Sequence, residues 1–134
     1  MTNGNAANEE GIVTKLSPRT VPATVAHLTD MLTARGIKVF AAIDQSAEAQ
    51  EAGLDLRDTV LVIFGNPAAG TPVMDAKPLA ALDLPLKILI WDDAGQTRVS
   101  YYPAATLAAR YGLDHDLATN LAVVGPLTDA LISP

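Results

Sequence analysis

Two glycines, two prolines, an asparagine and a threonine fall within FGNPAAGTP at 64–72, directly behind the apolar run TVLVIF at 59–64. A strand that runs through a glycine-rich turn into a helix can aim backbone amides at phosphate. The P-loop pattern G-x-x-x-x-G-K-[ST] adds a lysine for the outer oxygens. Gly65 and Gly70 keep the glycine spacing, but Thr71 follows Gly70 directly, so the lysine position is missing. Lys77 lies beyond Thr71, out of register, and Pro67 removes one of the amides. Nucleotide hydrolysis is therefore not expected. What survives is a helix start in which Thr71 caps and Pro72 takes the first position, presenting amides and the positive dipole end to a small anion. The alternative is a connector: Gly65 and Gly70 supply unusual φ, Asn66 bonds locally and Pro67 stiffens the turn.

Lys87 is the next residue whose type stands out, because it interrupts the apolar strand LKILIW at 86–91. It belongs either at an edge with its stem along apolar surface or beside a carboxylate, for which Asp83, Asp92 and Asp44 are candidates. Next to the Gly65–Thr71 stretch it would supply the charge that the P-loop lysine does not. Asp44 reads as an N-cap, and Asp92–Asp93 as turn formers ahead of Ala94–Gly95. His27 lies off the apolar stripe of its helix and His115 stands between Asp114 and Asp116, so neither has metal-ligand spacing. No serine has a G-x-S-x-G context. Tyr101 and Tyr102 point to opposite faces of one strand, and Trp91 is a core or interface anchor. No catalytic residue, metal site or cofactor is assigned.

The elements that hold these residues follow from periodicity. IVTKL at 12–16 alternates as a half-buried strand. Thr20 caps a helix with Val21, Val25, Leu28 and Leu32 on one stripe and Gly36 at its end. Strand 37–43 precedes a short helix capped by Asp44 and ended by Gly53. TVLVIF is continuously apolar, which predicts burial on both faces. Residues 74–83 are helical or irregular around Pro78. LKILIW, the turn DDAGQ at 92–96 and the alternating TRVSYY at 97–102 form an antiparallel hairpin. An Ala-rich helix ends at Gly112, and Asp114 caps a last helix (Leu117, Leu121, Val124) interrupted at Gly125–Pro126. The fold class is α+β: two layers, a mixed or mainly antiparallel sheet of about five strands, and helices on one face. Residues 1–11 read as a disordered leader and 12–134 as a single domain. With so few helices, one face of the sheet lacks a cover unless the C-terminal helices fold back over it. A homodimer is expected to supply it.

Bulk properties narrow the partners. The chain has 134 residues, 49% hydrophobic and 18% charged, which suits one globular domain with a real core. A net charge of −6, with its nine basic residues scattered singly, argues against nucleic acid and against an anionic membrane surface. No apolar run approaches a membrane span, no signal peptide is evident, and there is no cysteine. A cytoplasmic location is expected.

The stretches DLRDTVLVIFGNPAAGTPVM, LDLPLKILIWDDAG and VSYYPAATLAARYGL together resemble the bacterial and archaeal family known as domain of unknown function 302. The likeness runs from about Ser17 to Leu113 and is densest in LVIFGNPAAGTPVM. It implies a compact α+β domain, usually alone in its chain, that forms dimers; it implies no particular activity. The matching positions are Gly65, Asn66, Pro67, Gly70, Thr71 and Pro72, with Leu84, Pro85, Lys87, Trp91, Asp92 and Tyr101. One departure stands out: where family members often carry Ile-Asp-His after the second strand, this chain has Ile43, Asp44 and Gln45. Gln45 donates hydrogen bonds but transfers no proton near neutral pH. The combined expectation is a homodimer that binds a small ligand, an anion being one class. The site would combine Asp44, Gln45, Gly65, Asn66, Pro67, Gly70, Thr71, Lys87 and Tyr101. The alternatives are an interaction domain without ligand, or an enzyme using Asp, Lys or Tyr as acid–base groups.

Overall fold

The computed structural model describes residues 6–134. Five strands, β1 (Val13–Leu16), β2 (Lys38–Asp44), β3 (Thr59–Gly65), β4 (Leu86–Asp93) and β5 (Gln96–Tyr101), form one sheet in the order β1-β5-β4-β3-β2. All four pairings are antiparallel, so the sheet contains no parallel component. The β4–β5 hairpin closes through Ala94 and Gly95, both at positive φ (51° and 92°), with Asp93 opposite Gln96. Those two dihedrals give the tight turn whose twist matches its strands. The helices are α1 (Val21–Ala34), α2 (Gln45–Glu51), α3 (Pro67–Ala76), α4 (Ala104–Tyr111), α5 (His115–Thr119) and α6 (Val124–Leu131), with a 3-10 segment at Pro78–Asp83.

The core lies between one sheet face and the helices. Val60, Val62 and Phe64 of β3 and Leu86, Ile88 and Ile90 of β4 are buried, and Leu28 and Leu32 of α1 and Leu127 and Leu131 of α6 are buried in the same core. The alternate residues Leu61, Ile63, Leu89 and Trp91 are all partly exposed. Both continuous apolar strands are thus buried on one face only, unlike the two-sided burial their composition predicts. Cross-strand partners Leu61–Leu89, Thr59–Trp91 and Ile63–Lys87 place these side chains together on the open face.

Local signals account for the helix starts. Thr20 caps α1 by accepting from the Ala23 amide, with Pro22 in the first turn. Asp44 caps α2 and Asp114 caps α5 in the same way. The break in the C-terminal helix falls at 120–123, earlier than Gly125–Pro126. Those two residues occupy the first turn of α6 instead, where the missing proline N–H leaves no bond unmade. Of the expected leader 1–11, residues 1–5 lie outside the described residues. Asn8 Oδ1 accepts from the amides of Glu10 and Ile12, both at 2.9 Å, and the Thr106 hydroxyl donates to the Gly11 carbonyl at 2.7 Å.

Candidate functional site

Asn66 has extended backbone and caps α3: its Oδ1 accepts from the Ala68 amide at 2.9 Å, and Pro67 takes the first helical position. The amides of Ala69 and Gly70 both donate to the Asn66 carbonyl at 2.9 Å. The helix therefore starts at Asn66 rather than at a Thr71 cap, and its first turn holds no free amide: Pro67 has none and the next three are engaged. Pro72 lies inside the helix, which leaves the Ala68 carbonyl without its usual donor. Neither Gly65 nor Gly70 has positive φ. Both positions have room for a Cβ. A Cβ on Gly65 would stand 3.6 Å from Pro85 Cβ and 3.8 Å from Phe40 Cε2, and one on Gly70 would stand 3.8 Å from Met74 Cε.

The bare backbone at these two positions forms one wall of a cavity of about 390 Å³. Its lining comes from Ile37 and Phe40, from Gly65, Asn66, Pro67, Ala69, Gly70, Thr71 and Met74, from Leu84–Leu86 around a cis Leu84–Pro85 bond, and from Asn120, Leu121 and Val123. Most of these groups are apolar. The Asn66, Thr71 and Asn120 side chains are the polar exceptions, and Asn120 Nδ2 donates to the Ala69 carbonyl at 3.1 Å, tying the 120–123 segment to α3.

The other expected site residues stand elsewhere. Lys87 and Tyr101 line a second cavity of about 280 Å³. Lys87 Nζ donates to the Pro85 carbonyl at 2.9 Å, and Tyr101 is buried with the Lys15 ammonium 5.1 Å from its ring centre. Asp44 and Gln45 line neither cavity. The Asp44 carboxylate accepts from the Ser46 hydroxyl at 2.6 Å and the Ala47 amide at 2.9 Å, and these two bonds hold its pKa below the usual carboxylate value. Asp92 accepts from the Gly95 amide at 3.1 Å. No hydrogen bond joins any two of Asp44, Asp92, Lys87 and Tyr101, so they do not form an acid–base set. Among the described residues, no group of His, Cys, Asp and Glu is placed to hold a metal ion.

One cluster escaped sequence reasoning. Asp83 Oδ2 accepts from Arg110 Nη1 at 2.8 Å and from the Tyr111 hydroxyl, and the Arg110 guanidinium stacks 4.8 Å from the Tyr102 ring centre. Burial pushes the Asp83 pKa up, but the bonds from Tyr111 and Arg110, with the charges of Arg110 and Lys87, outweigh it and hold the carboxyl below its usual range. The same contact with Asp83 raises the Tyr111 pKa. The only sequence signal was Arg110–Tyr111 at the end of an Ala-rich helix, which is silent about a distant aspartate.

A family model described as domain of unknown function DUF302 matches residues 13–131. The chain belongs to DUF302. The signature stretch of this DUF302 domain, LVIFGNPAAGTPVM, is the inner strand β3 followed by the capped start of α3 and the cavity wall. The crystal structure of a conserved DUF302 protein from Bacillus stearothermophilus shares the fold, with a TM-score of 0.76 over 91% of this chain and 95% of that one, at 21% identity. Two curated relatives are longer proteins. Fluoride-specific ion channel FluC 1 of Brucella suis biovar 1 is 38% identical over 120 residues, covering 87% of this chain and 47% of the channel protein. Fluoride-specific ion channel FluC 2 of Brucella melitensis biotype 1 is 38% identical over the same length, with 44% of that protein covered. The matched part of the DUF302 chain thus makes up less than half the length of these relatives. Among the described residues no helix is long and apolar enough to cross a membrane.

Proposed function

We propose that this DUF302 domain is a small-ligand binding module that works as a homodimer, with its ligand seated at the Gly65–Thr71 stretch. The observation that carries the reading is the 390 Å³ cavity built against two glycines. It falls in the ordinary size range of small-molecule sites, and its lining of apolar walls with a few polar side chains has their usual character. A bare anion is a poorer fit than a molecule with an apolar body, because the first-turn amides of α3 are already engaged. A polar or anionic group on such a molecule would meet Asn66, Thr71 or Asn120. The homodimer reading is supported by the open sheet face, where Leu61, Ile63, Leu89 and Trp91 are only partly buried.

The channel relatives favour a second reading of what the module serves. The matched part accounts for 47% and 44% of two proteins named for fluoride channels. In those proteins a DUF302 domain would sense a ligand and act on the remainder of the chain. The domain described here would then be a sensing or docking module for a membrane partner.

The test uses N-phenyl-1-naphthylamine, an uncharged dye with an apolar body and a single N–H. Saturable fluorescence enhancement at one dye per chain is expected, together with a raised melting temperature at saturation. Gly70→Leu directs a side chain into the cavity and should abolish this binding while leaving the protein folded. Absence of saturable binding to the folded protein, or equal binding by the variant, would overturn the assignment and leave the interaction-domain alternative.

A further inference from the structure

We infer that the second cavity is a binding site of its own for an amphiphilic monocarboxylate, such as a medium-chain fatty acid, whose anion pairs with Lys87. The cavity, about 280 Å³, has mainly leucine walls, with Asp83, Lys87, Ser100, Tyr101 and Tyr102 as its polar or amphipathic members. This is the composition an acyl or aryl body needs on one side and a single anion needs on the other.

Charge decides the class. The chain carries a net −6, yet Lys87, Arg110 and Asp83 together leave one surplus positive charge beside this cavity. Asp83 does not cancel Lys87 by contact. Its carboxylate is engaged by Arg110 at 2.8 Å and by the Tyr111 hydroxyl, and among the described residues no carboxylate lies within ion-pair distance of Lys87. An ammonium has three donors, and Lys87 engages one of them, on the Pro85 carbonyl. The residue stands half-exposed on the open face of β4, opposite Ile63, with its stem along that apolar neighbour. Its cation is therefore the group available to a ligand. One surplus charge suits a monoanion, whereas a polyphosphate would need several.

The site is distinct from the α3 cavity, and Leu86 alone lines both. Leu61, Lys87 and Leu89 also belong to the open sheet face, so the cavity opens into the proposed dimer contact.

Calorimetric titration of the intact chain with sodium decanoate below its micelle concentration tests the site. One decanoate per chain is expected. Lys87→Met should weaken it at least about tenfold, about 1.4 kcal/mol, Lys87→Arg should retain it, and Gly70→Leu should leave it unchanged. Decyltrimethylammonium, with the same tail and opposite charge, should not bind. The inference fails if decanoate does not bind, if Lys87→Met binds as well as the parent, if the cationic amphiphile competes, or if Gly70→Leu removes decanoate binding. That last result would place the ligand in the α3 cavity.

Discussion

The Lys15 ammonium is buried between β1 and α6, donating to the Thr128 hydroxyl at 2.7 Å, the Asp129 carboxylate at 2.8 Å and the Gly125 carbonyl at 3.2 Å. Its side chain is 3% exposed, whereas that of Asp129 is 58% exposed. The two partners therefore differ in what their loss leaves behind. Asp129→Ala strands a buried cation on neutral acceptors and should cost about 2–3 kcal/mol, below the full range for a buried pair because the aspartate is half in water. Lys15→Met leaves Asp129 to solvent, keeps an apolar stem of similar length and leaves the Thr128 hydroxyl its bond to the Val124 carbonyl, so it should cost less than about 1.5 kcal/mol. Urea denaturation of both variants checks the order, and a larger loss for Lys15→Met would show that the ammonium is a net asset. Residue type misleads at this position. IVTKL invites the reading that Lys15 faces water, but Val13 and Lys15 share the buried face while Leu16 is 52% exposed. The partner that makes this tolerable comes from α6, far along the chain, which no local pattern announces.

At the scale of elements, strands and the longer helices were legible because periodicity reports burial directly. The α1 stripe, the β4–β5 hairpin and the caps at Thr20, Asp44 and Asp114 stand where their residues indicate. The start of α3 was not legible. Gly, Pro and Asn in FGNPAAGTP are turn formers, and Pro72 contradicts a helix interior, so local chemistry favoured a connector. Asn66–Pro67 is in fact a cap followed by a first-turn proline, and Gly70 is an ordinary helical residue. A consequence can be measured. Gly70→Ala removes the entropic cost of a helical glycine and meets nothing closer than 3.8 Å, so it should stabilise the fold by about 0.5–1 kcal/mol. A connector with strained backbone would be destabilised by the same change. Thermal and urea unfolding of Gly70→Ala separate the two by sign. The candidate site shared this fate: the glycines were found by type, but the opposing wall of Leu84–Leu86 and 120–123 comes from segments that sequence spacing does not bring together.

For the molecule as a whole, the deciding feature is where the C-terminal helices go. TVLVIF and LKILIW announced two apolar faces and too few helices, but left open which face would be covered. Leu121, Val124, Leu127 and Leu131 join the core of Leu28 and Leu32, so α6 packs with α1 on one side and adds nothing to the other. Leu61, Ile63, Leu89 and Trp91 therefore form a contiguous patch, bordered by the Arg98–Asp93 ion pair at 2.7 Å. A sheet face of this kind can pack against a second sheet at about 10 Å, and a twofold axis makes one patch complementary to its own copy. The net charge of −6 opposes association only weakly here, since the patch itself carries Lys87 and Arg98 and its acidic neighbours Asp93 and Asp83 are paired with Arg98 and Arg110. Light scattering should give twice the chain mass of 14.0 kDa. Leu89→Glu puts a like charge at the centre of both copies and should return the mass to one chain. The α3 cavity lies outside the patch, so the same variant should still bind the uncharged N-phenyl-1-naphthylamine at that site. A single-chain mass for the parent protein at the highest concentration tested would remove the dimer and leave the open face without an occupant.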